Sequence, residues 1–279
     1  MSSRFRPGAS SLLVVAALAM TAGVAIASRG SPKPEVDPSL RAQAELAAVG
    51  LEPAHEGELA AACEAMQRET DVVPLLARGE FTLTLANGPL EGSPLSTERA
   101  RTALAVVRHE LDRYSPARLR AAGLRRIVLA SDLRESGKLI SSLPNVAGSL
   151  LLDGSVPDAF LARLVHHELF HFFDFADEAR HRENGAWTDE NGLFCYGEGG
   201  RSVRHARASE LSDEMPGFLT RYAMSAVEED KAEVFSLLMT RPDAVRGRAA
   251  SDVVVRAKVR RLAEKLTRVA PELASVATL

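Results

Sequence analysis

Apolar residues recur along this chain at two spacings, which divide it into helices and strands. The longest helical stripe runs through 157–179 (PDAFLARLVHHELFHFFDFADEA). Leu161, Leu164, Val165, Leu169 and Phe172 repeat there at three- and four-residue steps, with Asp158 in the first turn. Residues 39–50 and 57–68 are Ala-rich and helical in period, the first ending at Gly50. A further helix starts at Ser96, an N-cap residue followed by Glu98, and buries Ala103, Val106, Val107 and Leu111. Helical period returns after Pro216-Gly217, through 227–238 and again through Ser251 to Ala270, where Val255, Val259, Leu262, Leu266 and Val269 form one stripe.

Strand patterns are fewer. Phe81, Leu83 and Leu85 alternate in Glu80 to Leu85, while Arg126 to Ala130 and Ser149 to Leu152 are short apolar runs. Asn87-Gly88-Pro89 and Gly92-Ser93-Pro94 read as turns. Residues 180–215 lack a sustained period and contain the single tryptophan, Trp187, so they read as a long loop bordering a cleft or forming a lid. This order predicts an α+β fold, mostly helical, with a small sheet next to the 157–179 helix. The strand at 149–152 would lie at the cleft rim and, with a free edge, would accept a peptide by strand addition.

Composition narrows the function classes. A net charge of −3 and an aromatic share of 5% argue against nucleic acid as a partner. The basic face of the last helix reads as an ordinary surface face. At the N-terminus, Arg4 and Arg6 precede an apolar run from Ser11 to Ala27 that ends in Ala25-Ile26-Ala27, the pattern of a secretory signal peptide over 1–27. Residues 28–38 then read as a Pro-rich linker to a domain spanning 39–279. The expectation is an exported protein, membrane-anchored only if the signal stays uncleaved. Export leaves Cys63 and Cys195 open to two readings, one disulfide or two thiols.

Candidate chemistry concentrates in His167-Glu168-Leu169-Phe170-His171. Residues four apart share a helix face, so two imidazoles can point at one ion, and Glu168 stands beside them to act on a water. Zinc suits imidazole ligands. His166 has no histidine four residues on and reads as a neighbour of the site. A catalytic zinc needs a third protein ligand, and the 227–238 helix offers Glu229 and Glu233 on one face. One carboxylate would ligate and the other would accept the second ring N–H of a ligating histidine. A solvated acidic helix start is the alternative.

The segment HHELFHFFD, the later WTDENGLFCYG, and GFLTRYAMSAVEEDKAEVF together resemble a group of bacterial zinc metallopeptidases that carry HExxH and a later Y-A-x(5)-E-D-x-A-E segment. The arrangement is also similar to the catalytic domain of anthrax lethal factor, a gluzincin-type site. The resemblance covers roughly 160–240. It implies a zincin-like domain with His167, His171 and Glu229 as zinc ligands, Glu168 as general base and Glu233 behind the ligands. Tyr222 would steady the oxyanion or aid the leaving group. Lys231 departs from the family's phenylalanine and is expected to face away from the metal. The expected activity is hydrolysis of a peptide or protein substrate by metal-activated water. An amidase acting on cell-wall peptide and a non-catalytic exported metal-binding module are the alternatives.

Overall fold

The computed structural model describes residues 38–85, 88–197 and 210–279. The proposed signal peptide and all of the linker except Pro38 lie outside these residues. The fold is mixed α and β, but its sheet is larger than three short patterns suggested. Eight strands are present among the described residues, organised around β5 (Arg126–Glu135).

Strand β5 has two halves with different neighbours. Its first half pairs in parallel with β2 (Val73–Ala77) and with β8 (Ser149–Asp153). Its second half pairs antiparallel with β4 (Gly88–Ser93) and β6 (Lys138–Leu139). Between the halves, Asp132 takes a left-handed φ of 51°, a conformation that aspartate tolerates better than most residues. Strands β1 (Leu51–Glu52), β3 (Phe81–Leu85) and β7 (Ser142–Val146) lie outside β2, β4 and β8 respectively. The turn formers around 88–93 are thus part of a strand. Gly92 sits under the Phe81 ring, where a Cβ would come within 2.6 Å of a ring carbon; the glycine serves close packing, not a turn.

Alternation through β5 and β8 sends Ile127, Leu129, Leu150 and Leu152 into the main core. Val128, Ala130 and Leu151 join Leu46, Leu75, Phe81 and Leu90 on the other face. The helices supply the rest of the main core. Helices α1 (Pro38–Ala48), α2 (Gly57–Thr70) and α3 (Thr97–Leu111) come early, and α4 (Pro116–Ala121) leads into β5. Ser96 caps α3 by accepting the Arg99 N–H at 3.2 Å, as the sequence implies.

Helix α5 (Asp158–Ala176) occupies the centre, packed against α3, β7 and α7 (Val227–Thr240). Every residue from Leu164 to Asp174 is buried, so the middle turns of this helix are covered on all sides while its ends reach solvent. The stretch at 180–189 corrects the loop reading: it is helix α6 (Arg180–Asp189), mostly polar, with Trp187 its one buried residue. The chain closes with α8 (Pro242–Ser251), α9 (Val253–Val269) and a 3-10 turn at Pro271–Ala277. The basic face of α9 is not all surface, because Lys258 and Lys265 are buried. Cys63 is buried and Cys195 exposed, both as free thiols, which removes the disulfide reading.

Candidate metal centre

Because α5 is sealed on most sides, its polar residues need partners from the helices around it. His167 and His171 lie one turn apart and bring their Nε2 atoms to 3.3 Å. Helix α7 begins opposite them. Glu229 Oε2 stands 3.0 Å from His167 Nε2 and 3.5 Å from His171 Nε2. Those three residues form the one cluster of potential metal ligands among the described residues.

The triangle fits zinc. Tetrahedral bonds of about 2.0–2.1 Å place ligand atoms roughly 3.3–3.4 Å apart, close to the 3.0–3.5 Å found here. Three protein donors converge, which leaves a fourth position for a small molecule. Glu229 keeps 17% of its side-chain surface, so the centre is not sealed from solvent.

Glu168 lies beside the triangle. Ser142 of β7 donates its hydroxyl to Glu168 Oε1 at 2.5 Å, while Oε2 is buried with no hydrogen-bond partner. An orphaned carboxylate oxygen at such a site matches the position of a water that the carboxylate would hold.

Glu233, one turn beyond Glu229, accepts from His167 Nδ1 at 2.9 Å, from Arg163 Nη2 at 2.8 Å and from the Thr220 hydroxyl at 2.6 Å. A proton on Nδ1 leaves the Nε2 lone pair directed at the triangle. The Tyr222 ring packs 5.8 Å from the His167 ring, at the start of a 3-10 turn (Tyr222–Ser225) that leads into α7. All six residues singled out in the sequence therefore meet in one place. Ser142, Arg163 and Thr220 were not anticipated. Arg163 had a weak signal in its position one turn before His167, whereas an isolated serine or threonine carries none.

Electrostatics follow from this packing. Burial disfavours a charged His167, but bonds to Glu229 and Glu233 outweigh it and push its pKa up to about 10 in the metal-free protein. Burial would likewise raise Glu229, yet His171 and His167 hold it well below the usual carboxylate range. Glu233 is lowered too, its burial overcome by the Arg163 charge and the His167 and Thr220 bonds.

His166 points elsewhere. It is fully buried, with Nδ1 2.5 Å from the Tyr114 hydroxyl and Nε2 2.7 Å from Glu110. Burial lowers its pKa despite that carboxylate. Lys231 turns away from the triangle and is buried, donating to Asp174 Oδ1 and Asn184 Oδ1, both at 2.6 Å. Asp230, next to the Glu229 ligand candidate, pairs with buried Lys258 at 2.6 Å and accepts from Trp187 Nε1 and the Tyr196 hydroxyl. The strand at 149–152 is not a free rim, since β8 lies between β5 and β7. The outer strand is β7, which has β8 as its one strand neighbour among the described residues and carries Ser142.

No family model matches the chain, and no curated protein matches it. Among solved structures, the chain is similar to a "putative zinc-binding metallo-peptidase" from Bacteroides caccae. Identity is 16%, the match covers 67% of this chain and 77% of that one, and the TM-score is 0.48.

Proposed function

We propose that this protein is a zinc-dependent metallopeptidase of the zincin type. The observation that carries the reading is the tetrahedrally spaced triangle of His167, His171 and Glu229 beside the unpartnered Glu168 oxygen. Zinc held there would polarise the scissile carbonyl and lower the pKa of a water in its open position.

The chain's own residues supply the remaining chemistry. Glu168 takes the proton of the attacking water on Oε2 and delivers it to the departing amine as the C–N bond breaks. Ser142 engages Oε1 and so keeps the other oxygen turned to the reaction. Glu233, itself held by Arg163 and Thr220, fixes the tautomer and tilt of His167. Tyr222 is assigned to the negative charge that grows on the carbonyl oxygen. The outer edge of β7 presents backbone groups to an extended substrate.

The apolar segment at 1–27 is proposed as a secretory signal. No described helix is long and apolar enough to cross a membrane.

The test pairs metal analysis with digestion. Purified mature protein should hold one zinc per chain and cleave unfolded protein in preference to cell-wall peptide fragments. Glu168→Gln should keep the zinc and lose roughly 10²–10⁴ in turnover. Full activity in that variant would refute the role of Glu168, and a zinc-loaded wild type that cleaves only cell-wall fragments would make the enzyme an amidase.

A further inference from the structure

The metal-facing stripe of α5 continues one turn past the histidines. His167, His171 and Phe175 fall at four-residue steps and so share a face. Phe175 is the member that reaches solvent. It is 42% exposed, and its ring lies 6.3 Å from the His171 ring. An exposed phenylalanine beside a candidate metal ligand leaves apolar surface without cover from the chain itself. Its outer face carries a cation: the Arg180 guanidinium stacks over the ring at 4.7 Å.

Arg180 has no carboxylate partner within ion-pair distance among the described residues. Of the neighbouring acids, Asp177 and Glu183 are engaged by Lys265 and Arg268, and Glu178 is exposed and not within ion-pair distance of Arg180. Arg180 also opens α6, where the positive end of the helix dipole disfavours a cation. Folding alone gives little reason for an arginine here. The ring fixes the position of the guanidinium and leaves its N–H fork available for a planar anion.

We propose that Arg180, seated on Phe175, is a substrate-specificity residue that recognises a carboxylate of the peptide close to the scissile bond. This rests on the metallopeptidase reading. The separations of 6.3 and 4.7 Å, laid end to end, bound the distance from the His171 ring to the guanidinium. An extended peptide advances about 3.3 Å per residue, so the recognised group falls within a few residues of the bond cleaved. Its source is either an acidic side chain or the terminal carboxylate of the substrate, and Phe175 supplies an apolar wall for the neighbouring stem.

Zinc-loaded protein is given matched peptide pairs. One pair has both ends blocked and carries Glu or Gln within three residues of the scissile bond. The other pair is a single neutral sequence ending in a free acid or an amide. The expected result is a preference of about fivefold for the charged member of one pair, expressed in KM rather than kcat. Arg180→Gln should abolish that preference, Arg180→Lys should retain part of it, and Phe175→Leu should weaken it by loosening the arginine.

Preference within the first pair identifies a side chain as the source, and within the second a chain end. The same fluorescently labelled peptides are titrated into zinc-loaded Glu168→Gln by anisotropy, where the charged member should bind about fivefold tighter, a difference lost when Arg180→Gln is added. Equal cleavage and equal binding of charged and neutral members overturn the assignment, as does a preference that survives Arg180→Gln. If no peptide is cleaved, the peptidase reading fails by itself, and the anisotropy comparison alone decides whether Arg180 binds carboxylates.

Discussion

Zinc binding to this protein should depend steeply on pH, because the ion must displace a proton from His167. In the metal-free protein that imidazole lies between Glu229 at 3.0 Å and Glu233 at 2.9 Å, and its pKa is pushed up to about 10. The ligand form is neutral, so at pH 7 only about one molecule in a thousand has His167 ready to bind, and apparent affinity falls by about that factor. Between pH 7 and pH 9 the association constant should climb roughly tenfold per unit, with about one proton released per zinc. Competition against a chromophoric chelator across that range gives the slope, and calorimetry in buffers of different ionisation enthalpy counts the proton. A flat profile above pH 7.5, with no proton released, would show that the flanking carboxylates do not hold His167 protonated. The stability of the metal-free protein should move in the opposite sense. His167 is raised above its unfolded value of 6.5, so its contribution is complete below pH 6.5 and is lost as pH rises toward 10.

Two further outcomes follow from the contacts. Ser142→Ala should leave zinc content unchanged and lower kcat, because it frees the Glu168 carboxylate to rotate without touching a ligand; an unchanged kcat with intact zinc would remove β7 from the catalytic arrangement. Lys258→Met leaves the Asp230 carboxylate buried without its cation and should cost about 3–5 kcal/mol in urea unfolding, whereas a loss under 1 kcal/mol would show that Trp187 and Tyr196 suffice to hold it.

What the sequence revealed depended on whether a residue's partner lay nearby along the chain. The α5 stripe, the Ser96 cap and the alternation of β3 are local, and all are present. The His167–His171 pair is local as well. Strand β2 was not expected because Pro74 interrupts its apolar run, yet it pairs in parallel with a strand some fifty residues later. Strand β4 was hidden because its glycine reads as a turn until the Phe81 ring above it is known. Helix α6 buries one residue, Trp187, and therefore has no stripe to detect. Lysines 258 and 265 sit among polar positions of α9, and only the carboxylates brought from α5, α6 and α7 show them to be interior groups. Glu229 and Glu233 were placed by pattern resemblance and helical spacing. Helical spacing alone left open which would face the ion, and the resemblance implied Glu229 in front and Glu233 behind, the arrangement in which α7 sets them against α5.

The Asp230–Lys258 pair has a consequence for the order of events during synthesis. The helix that presents Glu229 is made well before α9, yet the residue next to Glu229 meets its buried cation only once Lys258 has arrived. Domains generally fold as units as they emerge, and here the unit includes α9, which is translated after α7. A nascent chain should therefore hold no stable zinc centre until α9 is in place. A truncation that stops before Val253 should be recovered without bound zinc even when α5 and α7 are intact. Assembly of the triangle thus waits on a helix made after all three of its members.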